Sequence, residues 1–222
     1  MSKVLVVAPH PDDETLGCGG TLLRHVAEGD SVHWLIATAM RTDAGYAVTD
    51  VARRDDEISA VADAYRFATV HQFGYATATL DQVPKLEFIE KVSGVLKAVK
   101  PDHVYLPFPG DAHSDHRATF EATAVCTKAF RYPFVHQVWA YETLSETDQA
   151  VNPTLVEFRA QQFVEIADYL DGKINIMNLY ASEVGPFPFP RSEHSIRALA
   201  AWRGAQAGYT AAEAFMLIRA RQ

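Results

Sequence analysis

The sequence predicts an α/β fold, a Rossmann-like three-layer sandwich with a mostly parallel sheet. Two observations carry this prediction. Short β-branched runs alternate with longer segments whose apolar residues recur at helical spacing, the pattern of βαβ units. The composition, 48% hydrophobic and 22% charged over 222 residues, is that of an ordinary globular chain and suits one domain over 1–222. No internal repeat and no low-complexity tract interrupts the pattern.

The first strand is expected at Lys3–Ala8, where Val4-Leu5-Val6-Val7 forms an unbroken β-branched and apolar run. Further strands are expected at Ser31–Thr38, Thr69–Phe73, Asp102–Pro107, Gln137–Glu142 and Phe163–Ala167. Between them, helices are expected at Thr15–Glu28, Val51–Ala64, Pro84–Val99, Ser114–Phe130 and Tyr169–Glu183. In the third of these, Leu86, Ile89, Val92, Leu96 and Val99 stand three and four apart, a stripe that covers a sheet rather than a ligand. The segment Gly185-Pro-Phe-Pro-Phe-Pro190 alternates prolines with aromatics, which excludes both helix interior and central strand, so 185–190 is read as a loop or extended arm. After it come a helix at Ser192–Arg203, a turn at Gly204–Tyr209 and a short last element at Ala211–Arg219.

Counting 20 Lys and Arg against 28 Asp and Glu gives a net charge of −8, which disfavours nucleic acid and anionic membrane surfaces as partners. No apolar run approaches the roughly 20 residues that span a bilayer, so no transmembrane segment is expected. The two cysteines, Cys18 and Cys126, are too few for a disulfide framework. The N-terminus runs straight into the first strand without the parts of a signal peptide. These features together point to a cytoplasmic location.

The chemistry concentrates at two expected strand ends. The first strand closes in His10-Pro-Asp-Asp-Glu14, and open α/β sheets place their active sites at the carboxyl ends of strands. The helix that follows points its positive N-terminal end at Asp12 and Asp13 and favours their ionised forms. Neighbouring carboxylates face different directions, so one can bind a metal while the other serves as a base. Taken alone, such a run reads more readily as a hydrated acidic turn. The second cluster, Asp111-Ala-His113-Ser-Asp115-His116, follows the expected strand ending at Pro107 and opens the next helix. His113 and His116, three apart, project to one side. Zinc accepts imidazole nitrogen and carboxylate oxygen, and a catalytic zinc takes three protein ligands and keeps an open position. A lone histidine such as His33 or His71 reads as structural or exposed, but two clusters on comparable strand ends point to one shared centre.

His10-Pro-Asp-Asp-Glu14 with His113-Ser-Asp-His116 resembles the PIG-L / LmbE-like family of zinc-dependent N-deacetylases. The likeness extends through Arg54-Asp-Asp-Glu57, Lys100-Pro-Asp102 and Lys173 to Ser182. It implies a Rossmann-like fold and removal of acetyl groups from N-acetylglucosamine-type amino sugars, free or conjugated. By position it implies His10, Asp13 and His116 as ligands of Zn2+ and Asp12 as general base; a two-histidine, one-carboxylate site can equally hold Fe2+. It implies His113 as general acid or oxyanion stabiliser, Asp115 as the residue orienting that histidine, and Arg54 as a contact for sugar hydroxyls or a phosphate. It further implies a homo-oligomer. Where some relatives carry a tyrosine two residues before the histidine matching His113, this chain has Asp111, which reads as a helix cap.

Rival readings remain open on the sequence. Gly17-Cys-Gly19-Gly20 resembles a dinucleotide loop only loosely, since the glycines come late after the strand and no acidic residue ends the second strand; close helix–sheet packing accounts for them better. No Gly-x-Ser-x-Gly elbow supports a serine hydrolase. A non-catalytic sugar-binding relative, or metal-assisted hydrolysis of a different ester or amide, would use nearly the same residues. Arg191, beside the proline-rich loop, reads as a surface arginine or as a contact for a phosphate. Phe187 and Phe189 read as a lid or a subunit contact.

Overall fold

The computed structural model describes residues 1–150 and 157–221. Seven strands form one sheet: β1 (Lys3–Ala8), β2 (Ser31–Ala39), β3 (Thr69–Ala76), β4 (His103–Pro107), β5 (Gln137–Tyr141), β6 (Gln162–Glu165) and β7 (Ala212–Ala220). Their spatial order is β3-β2-β1-β4-β5-β7-β6. The pairs from β3 to β5 are all parallel, while β7 runs antiparallel between β5 and β6. Helices α1 (Asp13–Ala27), α2 (Val48–Tyr65), α3 (Lys85–Val99), α4 (Ser114–Val125), α5 (Leu170–Met177) and α6 (Glu193–Ala207) cover the two faces.

Alternation along the strands creates the three layers. Val4, Val6, Trp34 and Ile36 face Leu16, Leu22, Ile58, Val61 and Ile174 on α1, α2 and α5. Their neighbours Leu5, Val7, Leu35, Val104 and Leu106 face Phe88, Val92, Leu96 and Ala122 on α3 and α4. The chain winds outward from β1 to β3 and then returns to place β4 on the other side of β1. This reversal leaves the helices after β1 and β4 on opposite faces, and opens the crevice in which such sheets bind ligands.

The glycines of α1 serve close packing, as expected. A Cβ on Gly17 would lie 2.2 Å from the Tyr141 ring, and one on Gly20 would lie 2.7 Å from Ile166. The helix is broken at Cys18 (φ −147°, ψ 21°), and a buried ion pair serves both sides of the break. Lys173 Nζ donates to Leu16 O at 2.9 Å and to Glu213 at 2.7 Å, while the Glu213 carboxylate accepts from Gly20 N at 2.9 Å and Thr21 N at 2.7 Å. Gly17→Ala is expected to destabilise the fold by roughly 1–3 kcal/mol, read as a lower denaturant midpoint at constant m.

Four expected elements change, the first being the turn expected at Gly204–Tyr209, whose first four residues instead continue α6 to Ala207. The helix expected to reach Phe130 stops at Val125, because Cys126 N and Thr127 N bond back three residues and the Thr127 hydroxyl also takes Ala124 O at 2.8 Å. The helix expected over Tyr169–Glu183 ends at Met177, where turns carry Tyr180 inward to donate its hydroxyl to Glu14 at 2.8 Å. The untyped last element is a nine-residue strand, β7. A short apolar run fits helix and strand alike until its pairing partners are known. No helix among the described residues is long and apolar enough to cross a membrane. The 185–190 segment carries neither helix nor strand, and Phe187 and Phe189 are both exposed.

Candidate active site

The His10-Pro-Asp-Asp-Glu14 turn is tied to β2 at its start. Pro9 O accepts from Thr38 N at 3.0 Å and from the Thr38 hydroxyl at 2.8 Å. Asp12 then takes φ 134°, a backbone state that L residues rarely hold and that costs on the order of 1–3 kcal/mol. Two groups hold it there. Asp12 O caps α1 by accepting from Thr15 N and Leu16 N, and Asp12 N donates to the buried Glu14 carboxylate at 3.1 Å. Burial pushes the Glu14 pKa up to about 7, against the hydroxyls of Thr15 and Tyr180 that bond its other oxygen.

The strained turn sends the two aspartates apart. Asp12 Oδ2 accepts from Arg191 Nη1 at 2.8 Å, whereas Asp13 Oδ2 lies 3.3 Å from His10 Nδ1 and 3.2 Å from His116 Nε2. Asp13 Oδ2, His10 Nδ1 and His116 Nε2 thus form one cluster of potential metal donors, drawn from the ends of β1 and β4. Burial opposes ionisation of Asp13, but the two imidazoles outweigh it and hold the carboxyl well below the usual range. Burial and the neighbouring Asp13 charge push Asp12 well above its ordinary value, with Arg191 pulling the other way. His10 rises to about 9 despite burial, because Asp115 and Asp13 accept from it, and His116 rises against its burial because the Asp13 charge beside Nε2 and the Asp111 carboxylate on Nδ1 favour its charged form.

Each imidazole of the cluster is backed by a carboxylate on its far side. His116 Nδ1 lies 2.8 Å from Asp111 Oδ2, and Asp111 Oδ1 accepts from the Thr147 hydroxyl at 2.6 Å. His10 Nε2 lies 3.0 Å from Asp115 Oδ2, a carboxylate also held by the amides of Ala78 at 2.7 Å and Leu80 at 3.0 Å. Such carboxylate–imidazole pairs fix the tautomer and ring orientation of metal-ligating histidines. Two expectations are corrected here. Asp111 does not cap α4; His113 does, its Nδ1 accepting from Asp115 N at 3.1 Å, and Asp111 is instead buried against His116. Asp115 orients His113 through its amide, while its carboxylate stands 3.9 Å from that ring and bonds His10. Because His113 Nδ1 is an acceptor, its ring proton sits on Nε2, and burial together with the His10 charge lowers its pKa.

A cavity of about 210 Å³ opens beside the cluster, lined in part by His10, Asp12, Asp13 and His113. Tyr46, Thr77, Glu146, Glu183 and Arg191 complete much of the rest. Arg54 reaches the wall, but its guanidinium is engaged: Nη1 donates to Pro11 O at 3.0 Å and Nη2 to Ser182 Oγ at 3.0 Å and to Glu183, with Glu57 3.1 Å from Nε. With its side chain 5% exposed, it braces the aspartate turn. Arg191 is no free surface arginine; it bonds Asp12, Glu183 at 2.9 Å and Ser145 at 2.9 Å. Glu146 and Glu183 were missed by sequence reasoning. Both lie outside any motif: Glu183 arrives with the 182–191 segment, bonded to Arg54 and Arg191, and Glu146 with the loop after β5, where its Oε2 accepts from His113 N at 3.1 Å.

The comparisons with known proteins agree with this fold. A diacetylchitobiose deacetylase of Thermococcus kodakarensis is 23% identical over 98% of this chain and 84% of its own length. Among solved structures, the conserved protein TT1542 from Thermus thermophilus superposes with a TM-score of 0.79 at 26% identity, covering 100% of this chain and 97% of that one. A 4-carboxy-2-hydroxymuconate hydratase from Pseudomonas putida superposes with a TM-score of 0.77 at 18% identity, covering 100% and 98%, which is a likeness of fold alone. The family described as PIG-L, GlcNAc-PI de-N-acetylase, matches residues 5–127, just over half the chain and the stretch holding both histidine–aspartate clusters. The chain belongs to the PIG-L family.

Proposed function

We propose that this chain is a metal-dependent deacetylase that removes the N-acetyl group from an N-acetylglucosamine-type amino sugar or its conjugate. One observation carries the metal: His116 Nε2 is buried and makes no hydrogen bond of its own, although Asp13 Oδ2 stands 3.2 Å away beside His10 Nδ1. An orphaned buried nitrogen facing a second nitrogen and a carboxylate oxygen fits a divalent ion, and the donor set suits zinc or iron(II). When bound by His10, Asp13 and His116, such an ion supplies Lewis acidity, lowering the pKa of water and polarising the acetamide carbonyl.

The remaining steps fall to the protein. Asp12, left outside the ligand cluster and facing the cavity, takes the proton of the attacking water. His113 Nε2–H donates to the developing oxyanion. Because His113 Nδ1 already accepts an amide proton, the ring holds one proton only, so protonated Asp12 is the better donor to the leaving amine. Arg191 keeps Asp12 aimed into the cavity.

The chitobiose deacetylase relative supports the sugar, and the family match supports the amide. Incubating zinc- or iron-loaded protein with N,N'-diacetylchitobiose should release acetate and free amine, stop with chelator and resume with metal. Sugar binding without any amine release would favour a non-catalytic relative. Release only from an acetate ester would move the assignment to a different bond. Asp111→Ala is expected to weaken metal affinity by about 10–100-fold, since the His116 ring loses its anchor. Metal titration in a competing chelator measures this, and unchanged affinity would remove Asp111 from the site.

A further inference from the structure

The cavity beside the metal cluster is crowded with carboxylates whose positive partners are already engaged. Arg54 and Arg191 are the guanidinium groups lining the cavity, and among the described residues no lysine lines it. Arg54 is shared between Glu57 and Glu183. Arg191 is shared between Asp12 at 2.8 Å and Glu183 at 2.9 Å, with Glu146 Oε1 at 3.9 Å. Two guanidinium groups therefore face Asp12, Glu57, Glu146 and Glu183, and neither is free for an incoming anion. Glu146 Oε2 accepts from His113 N at 3.1 Å, which leaves Oε1 as an acceptor toward the cavity.

We propose that this pocket selects an uncharged, hydroxyl-rich N-acetylamino saccharide and rejects conjugates bearing a phosphate or carboxylate close to the acetamido ring, with Glu146 and Glu183 as the selecting residues. The inference rests on the deacetylase reading above and narrows its substrate. Sugar hydroxyls donate to carboxylates in charge-assisted bonds, so an uncharged ring gains from both glutamates. An anion meets like charge there, and to form an ion pair it must displace Glu183 or Asp12 from Arg191. The cavity, about 210 Å³, lies below the ~300 Å³ lower end of typical ligand clefts and suits one sugar ring, so further parts of a conjugate extend beyond it.

The test compares the methyl glycoside of N-acetylglucosamine with N-acetylglucosamine phosphate esters on the metal-loaded full chain. Calorimetry reads binding and amine release reads turnover. The uncharged glycoside is expected to exceed the phosphate esters by about tenfold or more in both affinity and kcat/KM, a ratio that shrinks as salt rises. Glu146→Gln and Glu183→Gln are each expected to shrink the same ratio several-fold, and circular dichroism confirms that each variant is folded. Equal or tighter binding of the phosphate esters by the wild type overturns the proposal without reference to any variant. Preferred binding of the glycoside with no amine released sinks the deacetylase reaction but leaves the ligand class standing. Binding of neither removes both.

Discussion

Asp12→Asn is expected to lower kcat by about 10²–10⁴-fold while leaving the metal content of the chain unchanged. The two readouts separate because the turn separates the two aspartates. Asp13 Oδ2 sits between His10 and His116, whereas Asp12 Oδ2 sits on Arg191. Removing the Asp12 carboxylate therefore takes away the proton acceptor and no ligand. Asparagine is the better probe than alanine, because it keeps the shape and is one of the few residues enriched at positive φ, where Asp12 stands at 134°. Elemental analysis and steady-state kinetics on one preparation decide the matter. Loss of metal together with activity would make Asp12 a ligand, and retention of full activity would leave the reaction without its base.

How much of this was legible beforehand depended on how local each signal was. The strand Lys3–Ala8 falls where its apolar run stands, and His10, Asp13 and His116 meet because both motifs sit directly after neighbouring strands. Side-chain partners chosen across the fold were not legible. Arg54 and Arg191 are both arginines near acidic residues in sequence, yet only the packed structure shows that the first braces Pro11 O and that the second holds Asp12. Asp111 and Asp115 likewise exchange their expected tasks for others. Which of the two carboxylates lies behind which imidazole depends on how the loop before α4 folds against residues 78–80 and against Thr147. β7 escaped typing because its pairing, with β5 and β6, is long-range.

His116→Ala and Asp13→Ala are each expected to reduce bound metal from near one equivalent to a trace and to abolish turnover with it. A catalytic centre of this type has three protein ligands, so removing one leaves two and an extra open position. The two variants test different halves of the crevice. Asp13 comes from the turn after β1, and His116 from the first turn of α4, after β4. His116→Ala also leaves Asp111 buried without its imidazole partner, and Asp13→Ala leaves two imidazoles whose charge it had been balancing. Each variant therefore loses some stability as well, and thermal unfolding in chelator separates the effects: there wild type and variants are compared without the metal's contribution. In excess metal, the wild type alone should gain in Tm, because only a protein that binds the ion in its folded state is stabilised by it. A variant that gains as much as the wild type would show that the ion is held elsewhere, and the cluster of His10, Asp13 and His116 would then be an ion-pair network and not a catalytic centre.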